Sequence, residues 1–526
     1  MTVTAAHGPA AHARAGLARL RPDLVDAYTD ALPEAARIVG ARLAGALARE
    51  GVAQARGTRH AFGRVEVTDP GTGDPATLLP AAFAALRPEL DDAVVNLAVA
   101  LARGPAPTTG DDPDDTALRA ERLALTGHNL HPCGRTRLGW DLADVLAHDV
   151  EAGHTRIGFV AVRAAAATGD DLGAQLAAAG HPVPAAPPGY RAQPVHAWQR
   201  DHVLPRRHAA LFADGTLRPL DGHLTAAPTA ALRTLLLPAT GAGRHYLKVS
   251  LDIQVTSTRR GISVASTRNG PAVTALLHEL LAAEPGVLLL DETGGAAVDA
   301  GTGRDVSALL RVGLTGRVPA GETAVPGGAL PATDPATGRP LVAGLVDAYG
   351  RGPLAWLDAY ARMLLPPLLR LAARGVAFEA HLQNCVPTFT GGAPRRLALR
   401  DFAGLRLHLP RLAAAGHPIR LWPGSVVGTD RHDVLIAKLG YTALQAHLGE
   451  LVVRLAESCG LDEHAAWRAV RAVVDETCDD TRAALPGAAA DHAALTAPTV
   501  AHKALVTMRV TGVGDRYVPV ANPLHG

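Results

Sequence analysis

Cysteine is nearly absent: Cys133, Cys385, Cys459 and Cys478 are the four in a chain of 526 residues. None forms a CxxC pair, so neither a disulfide framework nor a paired-thiolate metal site is expected, and a reducing compartment fits best. Aromatic residues make up 4%. With the abundance of Ala, Arg, Gly and Pro, that scarcity reads as a GC-rich coding bias and not as a physical adaptation. Neither sign of charge is in excess, with 51 Lys and Arg against 50 Asp and Glu. General attraction to nucleic acid or to an anionic membrane is therefore not expected, although a local basic pocket is compatible with that balance. Long apolar runs are missing too. The segment from Met363 to Phe378 is broken by Pro366, Pro367, Arg370 and Arg374, short of the ~20 apolar residues a membrane helix needs. The stretch through Arg21 has no apolar core of the secretory type, so a cytoplasmic protein is expected.

What is present suits a large folded protein. Hydrophobic residues make up 48% and charged residues 19%, which excludes wholesale disorder. The length suggests two or three domains. The first ~100 residues read as helical, with Leu86, Leu90 and Val94 on an apolar face and a turn-rich patch near residues 70–75. A loop over 104–115 makes a boundary, and Asp115 and Thr116 read as caps of a short helix ending at Gly127. Between residues 121 and 340 strands and loops mix. Leu247, Val249, Leu251, Ile253 and Val255 alternate with polar residues, the period of one strand with one buried face. A long loop covers 312–340. From Leu341 the pattern is helical to Arg374, where Gly375 ends it. Leu444, Leu448, Leu451 and Leu455 mark a later amphipathic helix.

Four segments carry chemistry. Gly127-His128-Asn129-Leu130-His131-Pro132 is followed by Arg135, Arg137 and Gly139. Guanidinium forks suit phosphate and carboxylate oxygens; the plain alternative is a solvated loop. Thr256-Ser257-Thr258-Arg259-Arg260 closes the alternating strand and reads either as an anion grip or as an ordinary polar strand end. Neither a Walker loop nor GxGxxG occurs. From Val376 to Gln383, apolar and polar residues alternate, so a strand there projects Glu379, His381 and Gln383 from one face. Such a face is either a polar site or the wet side of an edge strand. Arg400-Asp401-Phe402-Ala403-Gly404 lies between two alternating Leu runs and reads as a hairpin with Asp401 at its turn. Asp401 is then a turn former, or, beside Glu379, half of a magnesium site. Lys503 alone reads as a surface charge.

Together these segments resemble the NRPS-independent siderophore synthetases of the IucA/IucC family. The pattern G-H-P-x-H-P-x-x-K-x-R-x-G is similar to residues 127–139, T-S-x-x-R to Thr256, Ser257 and Arg260, and E-A-H-x-Q-N to Glu379, Ala380, His381, Gln383 and Asn384. R-D-x-x-G matches Arg400, Asp401 and Gly404, while K-A-L-x-x-M-R and N-P-L match 503–509 and 522–524. Asn129 stands where the family has Pro, which is expected to relax that turn. Arg135 replaces Lys and is expected to alter phosphate geometry, and Gly261 replaces a frequent Thr and is expected to loosen its loop.

The resemblance implies an α+β, cupped-hand architecture: a thumb-like helical region over 1–120, a fingers-like region over 121–340 and a palm-like region over 341–526. It implies ATP and magnesium in a central cleft, a carboxylic acid such as citrate or a citrate or succinate derivative activated as an adenylate, and an amine that displaces AMP. Arg135, Arg137, Lys248, Thr256, Ser257, Arg260, His381, Gln383 and Asn384 would bind the nucleotide, and Glu379 and Asp401 the metal. His131, Arg260, His381, Arg311 and Lys503 would serve the reacting groups. A homodimer is the family expectation. Two alternatives use the same residues: a ferric-siderophore or citrate binding protein without turnover, and a metal-dependent hydrolase built on His128, His131, Glu379 and Asp401.

Overall fold

A computed structural model describes residues 8–512 and 514–526. The first part is helical, as the Ala- and Leu-rich faces predict. Helices Pro9–Leu20, Val25–Arg49 and Arg87–Arg103 bury Leu17, Leu43, Leu90 and Leu97 against one another, with Val94 half-buried at the edge. The loop after Arg103 ends earlier than the sequence suggests. Asp112 caps the helix Pro113–Glu121 by accepting from the Asp115 amide, so Asp115 and Thr116 lie inside it. Pro113 at the first helical position fixes that start, since its missing N–H needs no partner there.

The middle of the chain builds an antiparallel sheet of eight strands. Its order is Ala167–Gly169, Glu292–Val298, Ser307–Val312, His245–Val249, Thr234–Leu236, Leu217–Pro228, Thr155–Arg163 and Tyr190–His196. The alternating run expected as one strand is two. His245–Val249 belongs to this sheet, whereas Leu251–Val255 leaves it to pair with Thr258–Arg260. The break falls at Ser250, whose amide donates to the Ser307 carbonyl while its hydroxyl accepts from the Ile262 amide. Burial still alternates across the break, with Leu247, Val249, Leu251, Ile253 and Val255 all inside. One hydrophobic face thus serves two sheets, and the hairpin tip at 256–257 is carried away from the large sheet.

Beyond residue 340 the fold is organised by the helix Pro353–Arg374, which buries Trp356, Tyr360, Leu364, Leu368 and Leu371 at helical spacing. Trp356, Tyr360 and Phe389 stack, and the Trp356 indole donates to the Gly392 carbonyl at 2.9 Å. Gly375 takes the left-handed end position and turns the chain into the strand Val376–Ala377. Ladder pairing stops at Ala377. Residues 378–381 continue without strand partners, so the expected strand to Gln383 is only two residues long. Its alternation survives, because Phe378, Ala380 and Leu382 are buried and Glu379, His381 and Gln383 are not.

The expected hairpin at Asp401 is not formed. Ala393–Leu399 pairs with Cys385–Thr390 and Val287–Leu289, whereas Arg406–His408 pairs with Val376–Ala377 and Gly428–Thr429. Asp401 therefore sits in the crossing between two sheets. A continuous helical rod follows, His432–Leu439, a π-helical stretch Gly440–Leu448, and Gly449–Cys459, with Leu444, Leu448, Leu451 and Leu455 all buried. Stretches of π-helix concentrate at functional sites, and this one packs against the 378–381 segment. Among the described residues no helix is long and apolar enough to cross a membrane.

Candidate functional site

The Asp401 crossing and the Glu379 segment meet. A Cβ on Gly404 would lie on the Glu379 carboxylate, so only glycine at 404 lets that side chain approach the turn after Asp401. Asp401 itself has φ 68°, and Thr256, across the cleft, has φ 55°. Non-glycine residues in the left-handed region are rare, most of all a β-branched one such as Thr. Such conformations cost of order 1–3 kcal/mol and cluster at functional sites.

Each carboxylate is held by a buried lysine. Lys248 Nζ donates to Asp401 at 2.6 Å and Lys438 Nζ donates to Glu379 at 2.8 Å. Burial alone would push both carboxyls up. Lys248, Arg311 and Arg233 outweigh it and hold Asp401 well below its ordinary range, and Lys438 and His381 do the same for Glu379. Burial lowers Lys248, which the Asp401 charge partly offsets. About a quarter of each carboxylate side chain stays exposed, 26% for Glu379 and 28% for Asp401, so both face the cleft. His381 Nε2 lies 4.0 Å from Glu379, and burial lowers its pKa. The segment is clamped from behind. Thr442 Oγ1 accepts from the Ala380 amide at 3.2 Å, His447 Nδ1 donates to the Ala380 carbonyl at 2.9 Å, and Asn384 Nδ2 donates to the Glu379 carbonyl at 3.0 Å.

The opposite wall is the hairpin tip. Arg260 Nη2 donates to the Val255 carbonyl at 3.0 Å and to Thr256 Oγ1 at 3.1 Å. Burial and the neighbouring Arg233 lower its pKa to about 9, against the attraction of Asp401 and Glu379. Arg233 fixes the loop from below, donating to the carbonyls of Arg260 and Gly261 at 2.8 and 2.9 Å. Gly261 tightens this loop and does not loosen it, because a Cβ there would lie 2.8 Å from Arg304 Cβ. His131 Nδ1 accepts from the Cys133 amide at 3.0 Å, which leaves Nε2–H to donate to Ser257 Oγ at 2.9 Å. Burial and Arg260 push its pKa down to about 3, so the ring is neutral. His128 is exposed, and its Nδ1 accepts from the amides of Leu130 and His131 at 3.1 Å each.

Other expected site residues stand elsewhere. Arg135 and Arg137 do not reach the cleft as phosphate ligands. Arg135 is 4% exposed and donates to Glu151 at 2.9 Å, and Arg137 is 3% exposed and donates to Asp149 at 2.8 Å. They brace the interior beneath the 127–139 segment. Asn129 ties its turn to the helical rod instead of relaxing it, donating to Glu450 at 2.9 Å. Gln383 offers the site region its carbonyl, which accepts from Arg400 Nε at 2.8 Å; Arg400 is spent on that bond and on Glu121 at 3.0 Å. Lys503 pairs with Asp515 at 2.7 Å at the rim, close enough to act on His131. Arg311 is buried beside the ring of Tyr246, and among the described residues its Nε has no partner.

Sequence reading missed Arg233 and Lys438. For Lys438 a signal existed: the chain has only three lysines, Lys248, Lys438 and Lys503, and all three hold carboxylates in or beside this cleft. The donor set at its centre is two carboxylates. Among the described residues no group of three or more His, Cys, Asp or Glu side chains is placed to hold a metal. Two oxygen donors with open space fit magnesium, which keeps water and phosphate oxygens as its other ligands, better than a closed zinc site.

Residues 116–332 match the family described as IucA / IucC. Over this stretch the chain is similar to the IucA/IucC family. Residues 354–518 match a second family, described as ferric iron reductase FhuF-like transporter. Staphyloferrin A synthase of Staphylococcus aureus is 27% identical over 347 residues, 64% of this chain and 57% of that one. The chain spans about half the length of the first curated relatives it matches, 49% and 57%. Among solved structures, the petrobactin biosynthesis protein AsbB of Bacillus anthracis superposes with TM-score 0.80 at 20% identity, over 95% of this chain and 98% of that one. ATP-bound aerobactin synthetase IucA of Klebsiella pneumoniae superposes with TM-score 0.69 at 21% identity, over 86% and 84%. The mixed helix-and-sheet fold of this chain is thus the one those two proteins share.

Proposed function

We propose that this protein is an ATP-dependent ligase of siderophore biosynthesis, activating a carboxylic acid as an acyl-adenylate and passing the acyl group to an amine. The observation that carries this reading is the facing of two charge sets across one cleft: Arg260, Ser257 and His131 on the hairpin side, Glu379 and Asp401 on the other. An anion binder without turnover gains nothing from two carboxylates opposite its cations. The matched family and the names of its relatives support the same class.

ATP and the carboxylic acid are read as substrates. Arg260 presents its guanidinium to phosphate oxygens and stabilises the charge that develops as pyrophosphate departs. Neutral His131 fixes the Ser257 hydroxyl, which is thereby oriented toward the same oxygens. Unpaired Arg311 suits the acid's carboxylate, and Lys503 at the rim is a second candidate for it. Glu379 and Asp401 would hold magnesium, which when bound neutralises phosphate charge and orients the triphosphate. His381 borders both metal and adenylate. Much of the rate comes from holding the two reactants together. We read 1–120, 121–340 and 341–526 as thumb, fingers and palm, supported by the large sheet lying wholly within the second span.

The test is direct. With ATP, magnesium, a panel of citrate and succinyl acids and a panel of polyamines, AMP and pyrophosphate should form only when an acid is present. Release of ADP and phosphate would reject adenylation, and no acid-dependent release across the panel would reject the ligase.

A further inference from the structure

Behind the Asp401 turn lies a cavity of about 570 Å³, open mouth included, lined among others by Glu292, Ser266, Asn269, Phe402, Ala403 and Ser425. Phe402 and Ala403 are the residues that follow Asp401, so the cavity and the magnesium carboxylate share one turn. Its polar walls are largely committed. Asn269 donates to Ser425 Oγ and accepts from the Trp422 amide, both at 2.9 Å, and Ser266 bonds Ser263 at 2.9 Å. Glu292 is the exception. It is 2% exposed, its Oε1 accepts one long 3.4 Å bond from the Phe402 amide, and its Oε2 has no partner among the described residues. Burial raises its pKa; the nearest cations, Lys248 and Arg311, attract it against that rise, but neither bonds it. Lys248 donates to Asp401, and Arg311, directly opposite Glu292 in the sheet, has no bond to it. Arg304 also lines the cavity, but its guanidinium donates to the Gly261 carbonyl at 2.9 Å.

An uncompensated buried carboxylate is costly, and one that lines a cavity is matched by a cation that enters it. We propose that the cavity is the acceptor site of the ligase, with Glu292 holding an ammonium group of the incoming amine. The assignment rests on the ligase reading above and adds a substrate class to it. An ammonium is not a nucleophile, so the nitrogen on Glu292 is not the one that attacks. The acceptor therefore carries a second nitrogen, uncharged when it reacts, as in a diamine. That nitrogen forms a bond to the acyl carbon, the carbon–oxygen bond to the phosphate breaks, AMP leaves, and the nitrogen's proton passes to water.

The experiment compares wild type with Glu292→Gln in three reactions. Acid-dependent ATP–pyrophosphate exchange reports the first step alone. Hydroxylamine traps the adenylate without needing a second cation. Linear diamines from three to five carbons are then set against the matching monoamines. Wild type should prefer a diamine over its monoamine, and Glu292→Gln should erase about tenfold or more of that preference through KM. Exchange, hydroxamate yield and magnesium dependence should stay within about threefold. Gly270→Ala is the second variant. It suits the helix Val264–Leu280 but brings a Cβ to 2.6 Å from Glu292 Oε2, and the same selective loss is expected. Three results overturn the assignment while leaving the ligase standing: no diamine preference in wild type, an unmoved preference in both variants, or loss of exchange in Glu292→Gln together with an altered magnesium requirement, which would make Glu292 a metal ligand. Absence of both exchange and hydroxamate in wild type would remove the ligase reading and this assignment with it.

Discussion

Replacing His447 by Gln should make the protein less sensitive to acid. His447 is fully buried, its Nδ1–H donates to the Ala380 carbonyl at 2.9 Å, and its Nε2 lies 2.8 Å from the Tyr360 hydroxyl, which donates to it. Both ring nitrogens are used in the neutral form, and burial lowers the pKa to about 4. In the unfolded chain the ordinary value is about 6.5. The folded pKa is the depressed one, so the unfolded state takes up the proton first as pH falls. Stability is therefore fully present above about pH 6.5 and is lost between there and about pH 4. At pH 5 the loss from this group is about 1.5 pH units at about 1.4 kcal/mol each, or about 2 kcal/mol. His131 and His196, both pushed to about 3 by burial, act in the same direction. Asp92, raised to about 6 by burial, opposes them. Urea unfolding at pH 7.5 and pH 5.0 isolates the His447 share. The variant should start less stable at pH 7.5, by about 1–3 kcal/mol for the lost hydrogen bonds. It should then lose about 2 kcal/mol less than wild type on acidification. Equal losses in the two proteins would refute the neutral, buried assignment. Acid-dependent pyrophosphate release should also fall in the variant, because Ala380 lies between Glu379 and His381.

Two further substitutions separate function from support. Asp401→Asn leaves Lys248 buried without a counterion and should cost about 3–5 kcal/mol, read as a lower melting temperature, together with loss of pyrophosphate release. Adding Lys248→Met should restore the stability but not the activity, and recovery of turnover in the double variant would remove Asp401 from the site. Arg135→Lys weakens the contact with Glu151 and Asp149 and should lower the melting temperature, while KM for ATP changes less than about twofold. A large rise in that KM would return Arg135 to the phosphate site.

The parts of the site that were legible in the sequence are those whose chemistry is local. The alternation over 376–382 predicts which side chains face the cleft, and it holds where the strand itself does not, because burial and not ladder pairing sets it. The hairpin at Asp401 fails for the opposite reason. Its two flanking runs have the right period, but strand partners are chosen by the whole fold, and theirs lie at 287–289, 385–390, 376–377 and 428–429. Arg135 and Arg137 are misplaced because a guanidinium that meets phosphate and one buried on a carboxylate look alike in a motif. The deciding partners, Asp149 and Glu151, are beyond it. Glu292 gives no sequence signal at all, since what marks it is a missing partner.

The lysines carry the last prediction. The composition favours Arg so strongly that only three lysines occur, and each holds a carboxylate in or beside the cleft. An ammonium is a compact point charge, whereas a guanidinium grips a carboxylate with two parallel bonds. On the proposed reading, a carboxylate that passes from a resident cation to magnesium needs the looser partner. Lys438→Arg should therefore keep the fold and the charge of Glu379 while competing harder for its oxygens. Half-maximal pyrophosphate release should need severalfold more magnesium than in wild type, with KM for the acid little changed, and excess magnesium should recover most of the rate. Direct titration with manganese, followed by its paramagnetic signal in the presence of a non-hydrolysable ATP analogue, should show the same weakening. An unchanged metal requirement in Lys438→Arg would mean that Glu379 stays on Lys438 throughout, leaving Asp401 as the metal carboxylate.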